Sequence, residues 1–269
     1  MKFVFLMWPD YAEDEELEAL DKLGCSVYES RMKIPYGSNV IGRYSVLPHY
    51  KELETDLSYV GSKLINSFRQ HNYIANFEWY DDLVGITPDT WTTNWHLMPE
   101  GKYVVKGRTN SRKHQWKQKM FAETKAKAIE LAGELLFDGL ISTQGIVIRK
   151  YEPLVTYDTG INDLPVTNEW RFFVYKNKII SSGYYWSSFP EYESEYFKRL
   201  GLKFNNEAPL EAKDLVQEAI NRVGDKCNFY VVDVAEKLDG SWTVIELNDG
   251  QMSGISMNDP MKLYSGLSQ

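Results

Sequence analysis

Residues 230–250, which read YVVDVAEKLDGSWTVIELNDG, constrain the fold more than any other segment because they predict a β-hairpin with acidic groups on one face. Asp239-Gly240 is a strong two-residue turn signal between two runs rich in valine and isoleucine. If these two residues form the loop, counting outward along both strands places Asp233 directly opposite Glu246. Asn248 then shares a face with Glu246, because side chains alternate along a strand.

This face of the hairpin has the composition of a metal site. Two carboxylates that face each other across a strand pair repel unless a cation lies between them. Carboxylate and amide oxygens are the ligands that hard cations prefer. The sequence therefore predicts that Asp233, Glu246 and Asn248 bind Mg²⁺ or Mn²⁺. The alternative is a polar, solvent-facing side of an edge hairpin.

The distribution of charge predicts a polyanionic ligand. The net charge of −8 argues against nonspecific binding to nucleic acid, which needs a basic face. Residues 102–127 nevertheless carry nine lysines and arginines against one acid, Glu123. This basic island predicts an anion bound locally, with a solvated helix face as the alternative from Lys117 onward. Lys106 fits that alternative poorly, because it ends a β-rich run and precedes a glycine.

Periodicity along the chain predicts strands that alternate with helices. Residues 1–8 predict a buried strand, and residues 10–23 a helix capped by Asp10 and stopped by Gly24. Residues 36–50 look loop-like, and Thr87-Pro88 marks a boundary. The other predicted elements are a strand from Tyr103, helices at 122–137 and 210–223, strands at 146–149, 170–175 and 178–186, and a hinge at 151–154.

Four motifs occur in a fixed order: residues 103–107 (YVVKG), 146–152 (IVIRKYE), 168–174 (NEWRFFV), and Asp233 with 246–248 (ELN). Together they resemble the ATP-grasp enzymes, and more narrowly the R2K group of bacterial and phage genomes. The resemblance covers roughly residues 87–254, and residues 41–44 (IGRY) resemble the leader of that group. It implies a mixed α+β and α/β ATP-grasp fold. Two α+β lobes, at about 89–149 and 150–269, would grip ATP after a small N-terminal α/β region at 1–88.

The resemblance also implies roles for the nucleotide-binding residues. Lys106 would contact the α- and β-phosphates, with Arg108 and Arg112 in a basic loop over the triphosphate. The adenine hinge would be formed by Arg149, Lys150, Tyr151 and Glu152. Many ATP-grasp hinges have an acid in place of that arginine, so its partner could instead be a phosphate or a substrate carboxylate.

Glu169 and Arg171 share one face of their predicted strand. By resemblance, Arg171 would bind the transferred phosphate and act with Lys106 in catalysis. Glu169 would bind the ribose or orient Arg171. A cross-strand Glu/Arg ion pair is the alternative.

These residues imply a carboxylate–amine ligase that uses ATP and Mg²⁺. ATP would phosphorylate a small-molecule or peptide carboxylate, and an amine would displace the phosphate to form an amide. Two alternatives stay open: a nucleotide-binding module without turnover, and a nucleic-acid modifying protein that uses the basic island.

Other classes of protein fit the sequence less well. The apolar run at residues 3–8 is too short to span a membrane and follows no basic leader, so we expect a cytoplasmic protein. Cys25 and Cys227 lie far apart and are expected to be buried free thiols. The four histidines lack zinc-site spacing, and no GxSxG motif occurs.

Overall fold

The computed structural model describes residues 3–8, 10, 12–43, 49–139, 141–186 and 205–267. Within these residues the chain forms three four-stranded sheets and one two-stranded hairpin. Residues 1–2 of the first predicted strand and Tyr44 of the IGRY leader lie outside the described residues. No helix in the described part has the length and apolar character needed to cross a bilayer.

The N-terminal region is a parallel sheet with flanking helices. Its strands are β1 (Phe3–Leu6), β2 (Ser26–Tyr28), β3 (Asn39–Gly42) and β4 (Lys63–Leu64), in the order β2-β1-β3-β4. Its helices are α1 (Asp14–Lys22), α2 (Tyr50–Tyr59), α3 (Phe68–Ala75) and α4 (Trp79–Leu83).

Two predictions for this region are corrected by the structure. Strand β3 lies inside the segment predicted as a loop, because four residues between glycines give too short a pattern to recognise. Helix α1 begins at Asp14 rather than after Asp10, and its N-cap is Glu13. Gly24 ends it as predicted, with a φ of +61° that favours glycine.

A second, antiparallel sheet forms the first lobe. It contains β5 (Thr90–Trp91), β6 (Tyr103–Gly107), β7 (Phe121–Ala122) and β8 (Ile146–Lys150), in the order β5-β8-β6-β7. Helix α5 (Lys125–Leu135) covers one face with buried alanine and leucine side chains. It starts later than predicted because the Thr124 hydroxyl accepts a hydrogen bond from the Lys127 N–H and caps it.

The third sheet, also antiparallel, forms the second lobe. It contains β11 (Glu169–Tyr175), β12 (Lys178–Tyr184), β13 (Phe229–Glu236) and β14 (Trp242–Asp249), in the order β12-β11-β13-β14. A small hairpin, β9 (Thr156–Thr159) and β10 (Pro165–Thr167), precedes it, and helices α6 (Leu210–Val223) and α7 (Pro260–Leu267) flank it. Short helical turns complete the described chain at Arg31–Lys33, Trp95–Leu97, Lys113–Gln115, Trp116–Met120, Ile161–Asp163 and Gly224–Lys226.

Both faces of the second-lobe sheet are buried, and the N-terminal region packs against one of them. Phe172 and Val174 pack with α4 and α6 on one face. Phe173 and Val231 pack with β1, α1 and α7 on the other. Strand β11 is therefore buried at every position.

The β13–β14 hairpin pairs Asp233 with Glu246, as predicted, but reaches that register by a different route. The Lys237 N–H donates to the Ser241 carbonyl, so the loop has three residues and ends at Gly240, whose φ is +82°. A bulge at Ile245 then restores the pairing. The longer loop lets the Leu238 N–H donate to the Pro153 carbonyl at 3.0 Å, which ties the turn to the hinge.

Gly183 on β12 allows the segment after β14 to lie against the sheet. A Cβ there would be 2.4 Å from the Met257 carbonyl carbon and 2.5 Å from the Asn258 nitrogen. We expect Gly183→Ala to lower the free energy of unfolding by about 1–3 kcal/mol, because backbone must move. Gly133→Ala is the matched control, since no atom lies within 4 Å of its Cβ position in α5. It should raise stability by about 0.5–1 kcal/mol in urea unfolding, and equal effects at both sites would contradict this account.

Candidate active site

Two adjoining cavities lie between the lobes. The first is largely apolar, and the second is largely polar. Four residues line both cavities and so mark their junction: Lys106, Ser111, Lys113 and Glu246.

The apolar cavity collects most of the predicted nucleotide-binding residues. Lys150, Tyr151 and Glu152 line it at the end of β8, where the chain passes from the first lobe to the second. Apolar and aromatic side chains cover the remaining walls, namely Val104, Trp116, Met120, Leu154, Leu164, Pro165 and Trp186. Such walls suit a flat, aromatic base.

Lys106 and Glu246 meet at the junction of the cavities, one from each lobe. The Lys106 ammonium donates to the Glu246 carboxylate, and the two side chains are only 9% and 13% exposed. Burial acts to raise the pKa of Glu246, but Lys106 and Lys113 outweigh it and hold that pKa well below its usual range. Glu246 is therefore an ionised carboxylate at neutral pH.

Lys113 also lies at the junction of the two cavities. In the sequence it is one member of the basic island, with no separate role predicted for it. Its ammonium donates to the Tyr185 hydroxyl and lies 4.1 Å from the Tyr185 ring centroid and 5.1 Å from that of Trp186. Burial acts to lower the pKa of Lys113, but Tyr185, Glu169 and Glu246 raise it. Lys113 is therefore a cation beside Glu246, and its contacts with Tyr185 and Trp186 fix its position.

Arg171 and Asp233 form a bidentate ion pair across β11 and β13. Arg171 Nε and Nη2 donate to the two Asp233 oxygens at 2.9 and 2.7 Å, and Nη1 donates to the Gly254 carbonyl at 2.8 Å. Asp233 is fully buried, whereas Arg171 lines the polar cavity. The alternative considered from the sequence, an ion pair between Glu169 and Arg171, does not form, because Arg171 binds Asp233 instead.

The predicted metal set is brought together only in part. Glu246 and Asn248 line the polar cavity, with Asn248 Nδ2 donating to Glu246 Oε1 at 3.0 Å. Asp233 faces Glu246 in register but has both oxygens bound by Arg171, so its role as a metal ligand stays a prediction. Each carboxylate has its own cation, which relieves the repulsion expected from the sequence.

An ionised glutamate and a neighbouring amide fit Mg²⁺ bound together with phosphates. Mg²⁺ is usually held by one or two carboxylates plus substrate oxygens rather than by an all-protein cage. In the described part of the chain no group of three or more His, Cys, Asp and Glu side chains is arranged to hold a metal alone. A cation at Glu246 and Asn248 would thus take its remaining ligands from the nucleotide.

Glu169 presents an unused acceptor beside the apolar cavity. Its Oε2 accepts from the Thr167 hydroxyl at 3.1 Å, whereas Oε1 is buried with no partner among the described residues. Burial raises the pKa of Glu169 to about 7, with Asp233 and Glu246 adding to the rise and Lys113 opposing it. A buried, unpartnered carboxylate oxygen fits a ligand hydroxyl, as a ribose would supply.

Arg149 lines the apolar cavity and also bonds the two lobes to each other. Its guanidinium donates to the Thr90 and Thr87 hydroxyls at 3.0 and 2.7 Å and to the Ile245 carbonyl. It also lies 5.6 Å from the Phe77 ring centroid. Burial lowers its pKa to about 10, which still leaves it charged at neutral pH. These bonds lie within the protein, and the predicted nucleotide-binding role of Arg149 stays a prediction.

The two arginines predicted to cover the triphosphate do not line either cavity. Arg112 makes a bidentate pair with Asp138, at 2.9 Å through Nε and 2.5 Å through Nη2. Arg108 lies against Gly145, whose carbonyl accepts from its N–H at 3.1 Å. The loop between them instead turns Ser111 toward both cavities.

Other residues of the basic island are neutralised by acids. Lys117 pairs with Asp163, Lys102 with Glu123 at 2.8 Å, and Lys127 with Glu130 at 2.7 Å. These pairs divide the island into separate ion pairs. They lower the net positive charge that the island presents.

Comparisons with known proteins agree with this architecture. A family model described as "ATP-grasp domain, R2K clade family 3" matches residues 92–267. No curated protein matches the chain in sequence.

Solved structures show the same fold at low sequence identity. D-cycloserine synthetase DcsG has a TM-score of 0.59 and 12% identity, covering 100% of this chain and 99% of that one. D-alanyl-alanine synthetase A from Vibrio cholerae O1 biovar eltor has a TM-score of 0.53 and 12% identity, covering 99% and 94%. The ATP-grasp ligase PsnB, complexed with minimal precursor, Mg and ADP, has a TM-score of 0.52 and 14% identity, covering 99% of this chain and 98% of that one. The predicted ATP-grasp fold is therefore confirmed.

Proposed function

The chain belongs to R2K clade family 3 of the ATP-grasp domains, and we propose that it is an ATP-dependent carboxylate–amine ligase that acts through an acyl phosphate. One observation carries the proposal. An apolar cavity suited to a nucleotide and a polar cavity suited to a substrate meet at Lys106, Lys113 and Glu246. Phosphoryl transfer needs such a junction, where cations neutralise the phosphates and position the acceptor.

ATP would lie in the apolar cavity with its triphosphate directed at the junction. The base would contact the hinge at Lys150, Tyr151 and Glu152, and the ribose would meet the free oxygen of Glu169. Lys106 and Lys113 would then contact the phosphates. This assignment differs from the predicted cover by Arg108 and Arg112, because neither arginine lines a cavity and Arg112 is paired with Asp138.

The transferred phosphoryl group would enter the polar cavity beside Arg171. Three donor groups of that guanidinium bind Asp233 and Gly254, which fixes its orientation toward the cavity. Glu246 and Asn248 would hold Mg²⁺, with Asp233 as the third predicted ligand. When bound, the cation would neutralise charge on the β- and γ-phosphates.

A screen for acceptor-dependent ADP release tests the proposal. Purified protein, Mg·ATP and a library of amino acids and short peptides are combined, and ADP is quantified. Peptides are included because one structural neighbour, a RiPP-associated ATP-grasp ligase from Chryseobacterium gregarium, is in complex with ADP and a leader and core peptide. ADP that depends on a carboxylate and an amine supports the ligase. Tight ATP binding without turnover would instead indicate a nucleotide-binding module.

Lys106→Ala is expected to weaken ATP binding by roughly 10- to 150-fold at fixed Mg²⁺, because charge-assisted hydrogen bonds contribute about 1.5–3 kcal/mol. Isothermal titration calorimetry of ATP measures the change. Lys117→Ala and Lys125→Ala are matched controls, since Lys117 is exposed, Lys125 is half-buried and neither residue lines a cavity. Equal losses at all three positions would indicate a diffuse basic surface and favour the nucleic-acid alternative.

A further inference from the structure

His71 and Asp249 form a hydrogen-bonded pair in the wall of the polar cavity. Both residues line that cavity, and His71 Nδ1 lies 2.9 Å from Asp249 Oδ2. The histidine comes from α3, which precedes the residues matched by the family model. The aspartate ends β14, the strand that carries Glu246 and Asn248.

The surroundings of Asp249 fix its orientation. Its Oδ1 accepts from Asn66 Nδ2 at 3.0 Å, from the Gln251 N–H at 3.0 Å and from Gln251 Nε2 at 3.3 Å. Three donors on one oxygen hold the carboxylate group in one orientation. The second oxygen, Oδ2, is thereby left to accept a hydrogen bond from a protonated Nδ1 of His71.

The histidine ring is held equally firmly. Tyr50 stacks on it with centroids 4.2 Å apart and planes 12° apart. Helix α3 is anchored by a capping box between Ser67 and Gln70. With Nδ1 turned to the aspartate, Nε2 is the ring nitrogen left to accept a proton, and no hydrogen bond to it occurs within the described chain. An aspartate that sets the tautomer of a histidine is an arrangement that prepares a base.

From this geometry we infer that His71, oriented by Asp249, is the base that accepts a proton from the amine substrate. The inference rests on the proposed ligase function and deepens it. An acyl phosphate formed beside Arg171 would lie in the same cavity as His71, with Asn248 and Asp249 adjacent in the chain. The substrate class is an amine that arrives protonated, such as the ammonium of an amino acid or a peptide N-terminus.

The proton balance of the step assigns one task to each group. The ammonium gives one proton to His71 Nε2, and the resulting amine attacks the carbonyl carbon of the acyl phosphate. A C–N bond forms and the C–O bond to phosphate breaks. The leaving phosphate takes the second proton from nitrogen, so that the products are the amide, hydrogen phosphate and a protonated histidine that returns its proton to solvent.

Hydroxylamine separates this role from a structural one. It is largely unprotonated at neutral pH, so it traps an acyl phosphate as a hydroxamate without needing a base. The assay uses the carboxylate and amine that give the fastest ADP release with the unaltered protein. His71→Gln should lower amide formation by about 100-fold. Hydroxamate formation should stay at the unaltered rate, because it needs only the acyl phosphate.

Two further variants complete the test. His96→Gln, at an exposed position in the turn Trp95–Leu97, should leave both reactions unchanged. His71→Ala should regain amide formation when imidazole is added, with thermal melting used to verify the fold. Equal loss of both reactions in His71→Gln, or unchanged amide formation, would overturn the role of His71 alone. Absence of acceptor-dependent turnover in the unaltered protein would overturn the ligase proposal, and the inference with it.

Discussion

Replacing Glu246 with glutamine is expected to lower Mg²⁺-dependent ADP release by about 100- to 1,000-fold while the protein stays folded. Among the residues that the structure describes, Glu246 is the one carboxylate that lines both cavities. It is held ionised by Lys106 and Lys113, which suits it to a divalent cation. A neutral amide has the same shape but binds hard cations poorly. Steady-state turnover at saturating ATP measures the effect.

Glu236→Gln is the matched control for this prediction. Glu236 ends β13 on the same hairpin, and its carboxylate accepts from Asn168 Nδ2 at 2.7 Å outside both cavities. Glutamine can keep that hydrogen bond, so turnover should be unaffected. Full activity of Glu246→Gln, at any Mg²⁺ concentration, would contradict the assignment of Glu246 to the metal.

Breaking the Arg171–Asp233 pair should have the second large effect. Arg171→Met is expected to lower the free energy of unfolding by about 3–5 kcal/mol, because it leaves the Asp233 carboxylate buried without its partner. The same change removes one of the cations that line the polar cavity and should abolish turnover. Urea unfolding measures stability, and ADP release measures activity.

The double variant Arg171→Met/Asp233→Leu is the control that isolates the unpaired charge. Two apolar side chains that pack in place of a buried ion pair often restore stability. We therefore expect the double variant to unfold at a higher urea concentration than Arg171→Met, while staying inactive. A double variant no more stable than the single one would show that packing, rather than charge, causes the loss.

Asp233→Asn separates the two roles considered for Asp233. A higher Mg²⁺ concentration for half-maximal turnover would support the predicted metal ligand. An unchanged Mg²⁺ requirement, together with lower stability, would assign Asp233 to holding Arg171.

The pairing of Asp233 with Glu246 could be predicted from the sequence because two departures from a regular hairpin cancel. One is a loop of three residues instead of two, and the other is a bulge in β14. The pattern Asp239-Gly240 indicates where the chain turns, but it does not show that Leu238 joins the loop. The bulge at Ile245 shifts the pairing back by one residue, so Asp233 still faces Glu246. Local turn chemistry can be seen in the sequence, whereas the bulge depends on tertiary partners such as Arg149, which bonds the Ile245 carbonyl.

The residues whose partners lie far along the chain could not be assigned from the sequence. Arg149 contacts Thr87 and Thr90, and Arg112 contacts Asp138, over separations that local patterns do not report. Strand pairing places Arg171 opposite Asp233, but no pattern in the sequence sets the register of β11 against β13. His71 has no motif, and only the packing of α3 on β14 brings it to the cavity.

The most direct test of the ligase mechanism is the fate of oxygen from the carboxylate substrate. The carboxylate identified by the acceptor screen is labelled with ¹⁸O and incubated with the protein, Mg·ATP and the amine, and the products are analysed by mass spectrometry. Attack of the carboxylate on the γ-phosphorus predicts ADP and phosphate that carries one ¹⁸O atom. AMP that carries the label, released with pyrophosphate, would contradict the acyl phosphate and replace it with an acyl adenylate.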